Sequence, residues 1–403
     1  MKLICALDIG TSKIRAVVAE NENGLPKIIG LSTTDVFGMR HGAIVDLNEV
    51  NKSIFKVLSD VKNINKKALD CIYFNIGTPE VKTQVSTAAT GISTGEGEIS
   101  YEEIEKVKKL AENLNFGPNR KLVNSIVQEF IVDGVGGITD PIGLVGNRLE
   151  VKSLVISVFS QHLNNINKAI SLFGGKASGP IFNPISSANS VLSKIQKELG
   201  VILIDIGAGT MSFAIYLENK LIHTKIFPIG SANITSDIAV GLKIPYEIAE
   251  KIKLEQGAAF PKEVGSRETI NLGEFLGGGK NIVSKKFVSE IIEARLDEMF
   301  ELINKEIKSC GKIELSAGAV LVGGGAKMAG LTNLAKDRLK LAVQIGLPLN
   351  DKIIFSDENQ NILNDPEYAN VLGLILCGAI NEGWSDENSL MDKIRKVFNA
   401  LKP

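Results

Sequence analysis

The sequence predicts an α/β protein of two duplicated halves facing each other across a cleft, with a smaller α+β block inserted in the first half. Three observations carry this reading. The apolar run Leu3 to Leu7 leads into DIGTSKIRAVVAE from Asp8, and VILIDIGAGTMSFAIY repeats the same strand, Asp-Ile-Gly turn and returning strand around Asp205. Strands and helices alternate along both stretches, the pattern of an α/β domain. Between 83 and 162 the texture changes to polar, strand-like sequence around a single helix.

Taken in order, the first half reads as a strand over 3–7, a turn, a strand over 13–19, a third strand in KIIGLSTTDV and a helix from about Asn48 to Val61. CIYFNIG, from Cys71, is a further buried strand. TQVSTAATGIS opens the inserted block, and GEGEIS leads to a helix in which Ser100 and Glu103 have the spacing of a capping box. Ile104, Val107, Leu110, Ala111 and Leu114 fall on one face of that helix. A second strand-rich stretch ends in SLVISVFSQ, and a helix follows from about Leu163 to Phe173.

ISSANSVLSKI, from Ile185, is a helix of small residues that leads into the second half. After LIHTKIFPIG the chain from 232 to 311 reads as mainly helical, with Gly311 as a C-terminal stop. AGAVLVGGGAKMAGL is a buried strand running into glycines, and DPEYANVLGLILCGAI, from Asp365, is a late helix. The first half therefore takes residues 1–82, 163–198 and 365–383, and the second 199–231 and 312–364. The inserted block is 83–162, the helical subdomain 232–311, a polar linker 384–388, and a terminal amphipathic helix 389–403.

At 403 residues the chain exceeds one comfortable core, which agrees with a division into domains. A net charge of -1 supplies no global field to recruit nucleic acid, so no nucleic-acid partner is expected. Cys5, Cys71, Cys310 and Cys377 stand apart, which indicates neither a metal cluster nor a disulfide framework and suits a reducing cytoplasm. The N-terminus enters a strand at once, against a signal peptide. VLGLILCGAI, the longest apolar stretch near the end, is about ten residues and too short to span a bilayer.

A glycine-rich hairpin behind an Asp-bearing strand has a physical use. Its backbone N–H groups can approach phosphate oxygens because no Cβ blocks them. The Asp itself repels phosphate, but it can hold a hydrated Mg²⁺ that binds one. In the first turn Gly10 opens the loop, Thr11 and Ser12 add hydroxyl donors and Lys13 adds positive charge; in the second, Gly207, Ala208, Gly209 and Thr210 form the same kind of cradle. One such turn alone is an ordinary turn, whereas two in equivalent contexts would grip one polyphosphate from both sides. A dinucleotide fold is disfavoured because G-x-G-x-x-G is absent: Gly323 and Gly325 are followed by Met328, and Gly207 and Gly209 by Ser212.

In order, DIGTSKI, DIGAGTMSF and VLVGGGAKMAGL resemble the phosphate-1, phosphate-2 and adenosine motifs of the actin, Hsp70 and sugar-kinase superfamily. HTKIFPIGSANITSDIA, EIAEKIKLEQGAA and the block at 83–162 narrow the resemblance to the bacterial FtsA cell-division family, from end to end. The resemblance implies an actin-like ATPase fold around a nucleotide cleft, with ATP and Mg²⁺ as cofactors. It places Asp8 and Asp205, the catalytic pair, at the Mg²⁺ through water, and the two glycine-rich turns at the phosphates. Gly323, Gly324, Gly325 and Met328 would face the adenosine, and Glu250 and Lys253 the ribose and adenine; spacing alone reads the last two equally well as a solvated helix face. One departure stands out: where the superfamily often carries a Gln or Glu to orient the attacking water, this chain reads Ile-Phe-Asn183-Pro184, and an amide cannot act as a base. At most weak ATPase activity is expected. His162 and His223 are isolated and read as structural.

The last fifteen residues, SLMDKIRKVFNALKP, place Leu390, Met391, Ile394, Val397, Phe398 and Leu401 on one helical stripe. Lys393, Arg395, Lys396 and Lys402 oppose Asp392 alone. Such a helix can dock on its own domain or lie in a membrane interface; the FtsA resemblance implies the second. It also implies partners: the tubulin-like FtsZ filament, other division proteins, further copies of the chain in a filament, and anionic lipid. The setting would be the inner face of the cytoplasmic membrane at the division septum, held peripherally. Two alternatives share the fold. A sugar or acetate kinase would need an acidic base in a substrate pocket, and a pilus-assembly adaptor of the PilM type would dock a partner peptide without a terminal helix.

Overall fold

The computed structural model describes residues 2–93, 97–114, 116–117, 119–279, 281–355 and 357–384. The terminal helix expected over 389–403 lies outside the described residues. Of the linker expected at 384–388, only Trp384 is described, and it is not linker-like: it is buried with Ile375 and Ala379, and its backbone N–H donates to the Ala379 carbonyl at 2.8 Å. An indole is large enough to belong to the core even behind a glycine turn.

The first half begins with β1 (Leu3–Ile9), β2 (Lys13–Glu22), β3 (Leu25–Asp35), the small hairpin strands β4 (Met39–Arg40) and β5 (Ala43–Ile44), helix α1 (Leu47–Ile64) and β6 (Ile72–Ile76). The inserted stretch follows as β7 (Lys82–Gly91), α2 (Tyr101–Glu112), β8 (Arg120–Val132), β9 (Val135–Ile138) and β10 (Arg148–Phe159). Helix α3 (Ser160–Leu172), β11 (Ala177–Phe182), α4 (Asn183–Val191) and α5 (Lys194–Leu199) return to the first half. The second half holds β12 (Val201–Ile206), β13 (Met211–Leu217) and β14 (Lys220–Phe227). Helices α6 (Ser231–Leu242) and α7 (Tyr246–Gln256) follow. A short hairpin, β15 (Thr269–Asn271) and β16 (Ile282–Ser284), flanks one helical turn, α8 (Gly273–Leu276). Helix α9 (Lys285–Ser309), β17 (Ala319–Val322), α10 (Leu331–Leu339), β18 (Val343–Ile345) and α11 (Ala369–Asn381) complete the described chain.

Two five-stranded sheets share one plan. In the first the order is β11-β6-β1-β2-β3, and in the second β14-β13-β12-β17-β18. In each, a central strand ends on an Asp-bearing turn, pairs antiparallel with the strand that returns from it, and pairs parallel with a strand from later in the chain. Unbroken apolar runs form these central strands because both faces are covered. Cys5 and Leu7 pack with α1 and α3, while Ile4 and Ala6 face α11. Ile202, Ile204 and Ile206 pack toward α6, α7 and α9, and Val201 and Leu203 toward α4.

The inserted stretch forms its own four-stranded sheet, order β7-β10-β8-β9, with α2 against it. Ser100 caps α2 in the predicted capping box with Glu103. The stretch between 232 and 311 is mainly helical, as read, but includes the β15–β16 hairpin, whose three-residue strands are too short to carry an alternating pattern.

Within the first half α11 crosses α4, and α4 in turn packs against Val201 and Leu203 of the second half. A Cβ on Gly373 would stand 1.8 Å from the Ser186 carbonyl oxygen, so only glycine allows this approach. Ser190 Oγ donates to the Ala369 carbonyl at 2.5 Å across the same crossing. Gly373→Val should therefore destabilise the protein by on the order of 3 kcal/mol; an unchanged chemical-denaturation midpoint would contradict the crossing.

Candidate nucleotide cleft

Each Asp-Ile-Gly turn is built the same way. Ile9 faces Ile14 and Ile206 faces Met211 as the last strand pairs, and four residues close each loop. In the first loop the Gly10 N–H donates to the Lys13 carbonyl at 3.0 Å; in the second, Gly207 N–H donates to Thr210 at 2.9 Å. The N–H groups of Thr11, Ser12, Ala208 and Gly209 donate to no acceptor among the described residues, leaving donors at both loop tips. The tips meet: a Cβ on Gly209 would stand 2.6 Å from Thr11 Cγ2.

Between the two loops opens a cleft of about 1130 Å³, lined by Asp8, Gly10, Thr11, Ser12, Lys13, Asp205, Gly207, Ala208, Gly209, Thr210, Glu250, Lys253, Gly323, Gly324, Gly325 and Met328. Every residue the sequence assigned to nucleotide is thus brought to one cavity. Gly323 has a left-handed backbone, φ +84°, and a side chain there would run into Asp205 Oδ1 at 2.4 Å and the Ile206 carbonyl at 2.6 Å. The glycine run therefore lies directly against the end of β12.

Asp8 is buried and Asp205 half-buried at the cleft wall. Asp8 accepts from Asn75 Nδ2 at 2.8 Å and Asn370 Nδ2 at 2.7 Å. Burial pushes its carboxyl above the usual range, while the Arg15 guanidinium and the Asn370 bond pull it back. Asp205 accepts from Ser187 Oγ at 3.4 Å. Burial, together with the charge of Asp8, pushes it up to about 7. Two carboxylates facing one cavity with too little compensating charge are a ready place for a divalent cation.

Glu250 and Lys253 are not a solvated helix face. Lys253 is 7% exposed, and its ammonium donates to Glu250 Oε2 at 2.7 Å and Thr235 Oγ1 at 2.9 Å. Buried charge needs such partners, and here they fix the Glu250 carboxylate at the cleft wall. Asn183 also lines the cleft, with its Oδ1 buried and without a hydrogen-bond partner among the described residues.

Several cleft residues, and the buried Asn75 that donates to Asp8, escaped the sequence reading. Arg15 faces Asp8 across the β1–β2 ladder, binds Glu367 at 2.6 Å and lies over the Tyr368 ring. A four-residue loop fixes that register, so the hairpin itself held the signal. Asn75 was signalled by a polar residue inside the apolar strand CIYFNIG. Asn370 and Glu367 come from α11 and the turn before it, and no local pattern links them to Asp8. His41, beside Arg40 on the β4–β5 turn, also lines the cleft. His223, by contrast, has a structural partner: its Nε2 is 2.8 Å from Glu306.

Two sheets of one plan, facing turns and acids at their strand ends define a protein of the actin-like ATPase fold. A PilM–PilN type IV pilus biogenesis complex aligns with 93% of this chain and 98% of the solved chain, at TM-score 0.68 and 16% identity. MreB5 of Spiroplasma citri bound to AMPPNP aligns with 95% and 98%, at TM-score 0.55 and 14% identity. A family model described as cell division protein FtsA matches residues 202–373, and one described as the SHS2 domain inserted in FtsA matches 79–157. The cell division protein FtsA of Pseudomonas aeruginosa is 30% identical over 379 residues, covering 94% of this chain and 89% of that protein. The chain belongs to the FtsA family of cell division proteins.

Proposed function

We propose that this protein binds ATP with Mg²⁺ in the cleft and tethers FtsZ filaments to the inner face of the cytoplasmic membrane at the septum, recruiting division proteins there. The observation that carries the nucleotide part is the pair of matched turns, each with free N–H donors, closing on the aspartates at the two strand ends. Asp8 and Asp205 would hold the Mg²⁺ through water, and the metal would neutralise phosphate charge. The loops 10–13 and 207–210 bind phosphate oxygens, while Gly323, Gly324, Gly325 and Met328 border the adenosine, and Glu250 and Lys253 the ribose and adenine. MreB5 of Spiroplasma citri, which shares the fold, was solved bound to AMPPNP, and this supports a nucleotide as the ligand.

Hydrolysis should be slow. Asn183 can orient a water through its unpartnered Oδ1 but cannot take its proton. Turnover of tens per second, within the usual enzyme range, would contradict this.

No helix among the described residues is long and apolar enough to cross a membrane, so attachment rests on the terminal stripe of Leu390, Met391, Ile394, Val397, Phe398 and Leu401 with its basic residues. One such helix binds weakly, and filament formation multiplies it. The helical subdomain is the FtsZ-facing surface in this reading. Lys262 and Arg267 are both exposed there, and reversing either charge should reduce co-sedimentation with FtsZ while leaving lipid binding intact.

Liposome pelleting with FtsZ, using the full chain and a chain ending at residue 388, tests tether and partner together. FtsZ should pellet with vesicles only when the full chain is present. FtsZ that pellets equally with the shortened chain would overturn the tether.

A further inference from the structure

The β4–β5 hairpin belongs to none of the motifs read from the sequence, yet its tip lies between the two glycine-rich loops. His41 and Gly42 both have left-handed backbones, φ 49° and 75°, as a two-residue hairpin turn requires. Histidine is costly in that region, and such strain persists where surrounding contacts hold it. Here they come from both halves of the molecule. His41 Nδ1 lies 3.3 Å from the Gly209 carbonyl, so this nitrogen carries the proton, and the Gly42 N–H donates to Thr11 Oγ1 at 3.2 Å. A side chain at Gly42 would strike the Gly77 carbonyl at 2.5 Å and Thr210 Cγ2 at 2.9 Å.

The tip is therefore locked against Thr11 of one phosphate loop and Gly209 and Thr210 of the other, at the point where the loops converge. None of its hydrogen bonds among the described residues reaches the stretch assigned to adenosine. Arg40 stands next to it, lines the same cleft, is exposed and makes no ion pair among the described residues. A guanidinium presents a planar fork of donors that matches phosphate oxygens two at a time.

Resting on the nucleotide reading above, we propose that Arg40 and His41 recognise the terminal phosphate of a nucleoside triphosphate and set the preference for triphosphate over diphosphate. Arg40 supplies the charge that the extra phosphate requires. His41 holds the hairpin to the second half, so terminal-phosphate binding and the Gly209 contact act on one rigid tip.

The test is calorimetric titration of the full chain with ADP and with AMPPNP, each with Mg²⁺, for the wild type, Arg40→Ala, Arg40→Lys and His41→Asn. Asparagine tolerates the left-handed backbone and keeps the turn. Arg40→Ala should weaken AMPPNP binding on the order of tenfold with ADP nearly unchanged, Arg40→Lys should recover part of the loss, and His41→Asn should lower the same ratio. Wild-type binding with an AMPPNP to ADP ratio that no variant alters, or an equal loss for both nucleotides, overturns the assignment of Arg40 and His41 alone. A wild type that binds neither nucleotide overturns the nucleotide reading itself.

Discussion

Replacing Asp205 with Ala should weaken Mg²⁺–ATP binding on the order of 100-fold while leaving the protein folded. Losing a residue that merely orients a metal ligand costs 10- to 100-fold, and Asp205 supplies charge at the cleft itself. It lies at the end of β12, against Gly323 and opposite the loop that begins at Asp8. Circular dichroism beside calorimetry separates lost binding from lost fold. Asp205→Asn should share the binding defect yet stabilise the metal-free protein at high pH. The folded carboxyl titrates at about 7 instead of 3.8, so the folded state keeps a proton that the unfolded chain has already lost. Stability is thus greatest below the unfolded value and falls as pH rises from about 4 to about 7. At pH 8 the asparagine variant should be more stable by roughly 1–3 kcal/mol, with the difference vanishing near pH 4. A difference that grew towards acid would have the wrong sign and would contradict a raised Asp205 carboxyl.

The second large effect concerns the terminal stripe. Phe398 and Ile394 lie in its middle, and each apolar side chain buried in a membrane interface contributes on the order of 1.5–3 kcal/mol. Phe398→Asp should therefore remove most liposome binding. Loss of Lys393, Arg395 and Lys396 should weaken binding to anionic vesicles alone, by roughly 1 kcal/mol per charge, and that part should fade with salt. A helix docked on its own domain would behave otherwise. Phe398→Asp would then lower the melting temperature, whereas a stable variant that no longer pellets supports the tether.

The halves and their glycine-rich loops were legible because their cause is local. A buried strand, an Asp-Ile-Gly turn and a returning strand lie within about fifteen residues, and their repetition at Asp205 exposes the duplication. The environment of the acids was not legible. Asn370 reaches Asp8 from 362 positions away, and Arg15 meets Glu367 across 352, distances that only the crossing of α11 on the first sheet closes. His41 was missed for another reason: its contact with Gly209 comes from a left-handed turn, and nothing in RHGA marks which glycine-rich loop that turn will touch. Spacing alone leaves Lys253 open between the cleft and a solvated face, because helical spacing cannot foresee that α6 packs over it and brings Thr235 to its ammonium.

The measurement that bears most directly on the cleft is titration of AMPPNP into the full wild-type chain with Mg²⁺ present and with Mg²⁺ chelated. One molecule should bind per chain with Mg²⁺, and affinity should fall on the order of tenfold or more without it, because Asp8 and Asp205 then face the phosphates with no cation between them. Affinity that is unchanged or higher without Mg²⁺, or no binding in either condition, would contradict a nucleotide held between the two loops through a metal on the paired aspartates.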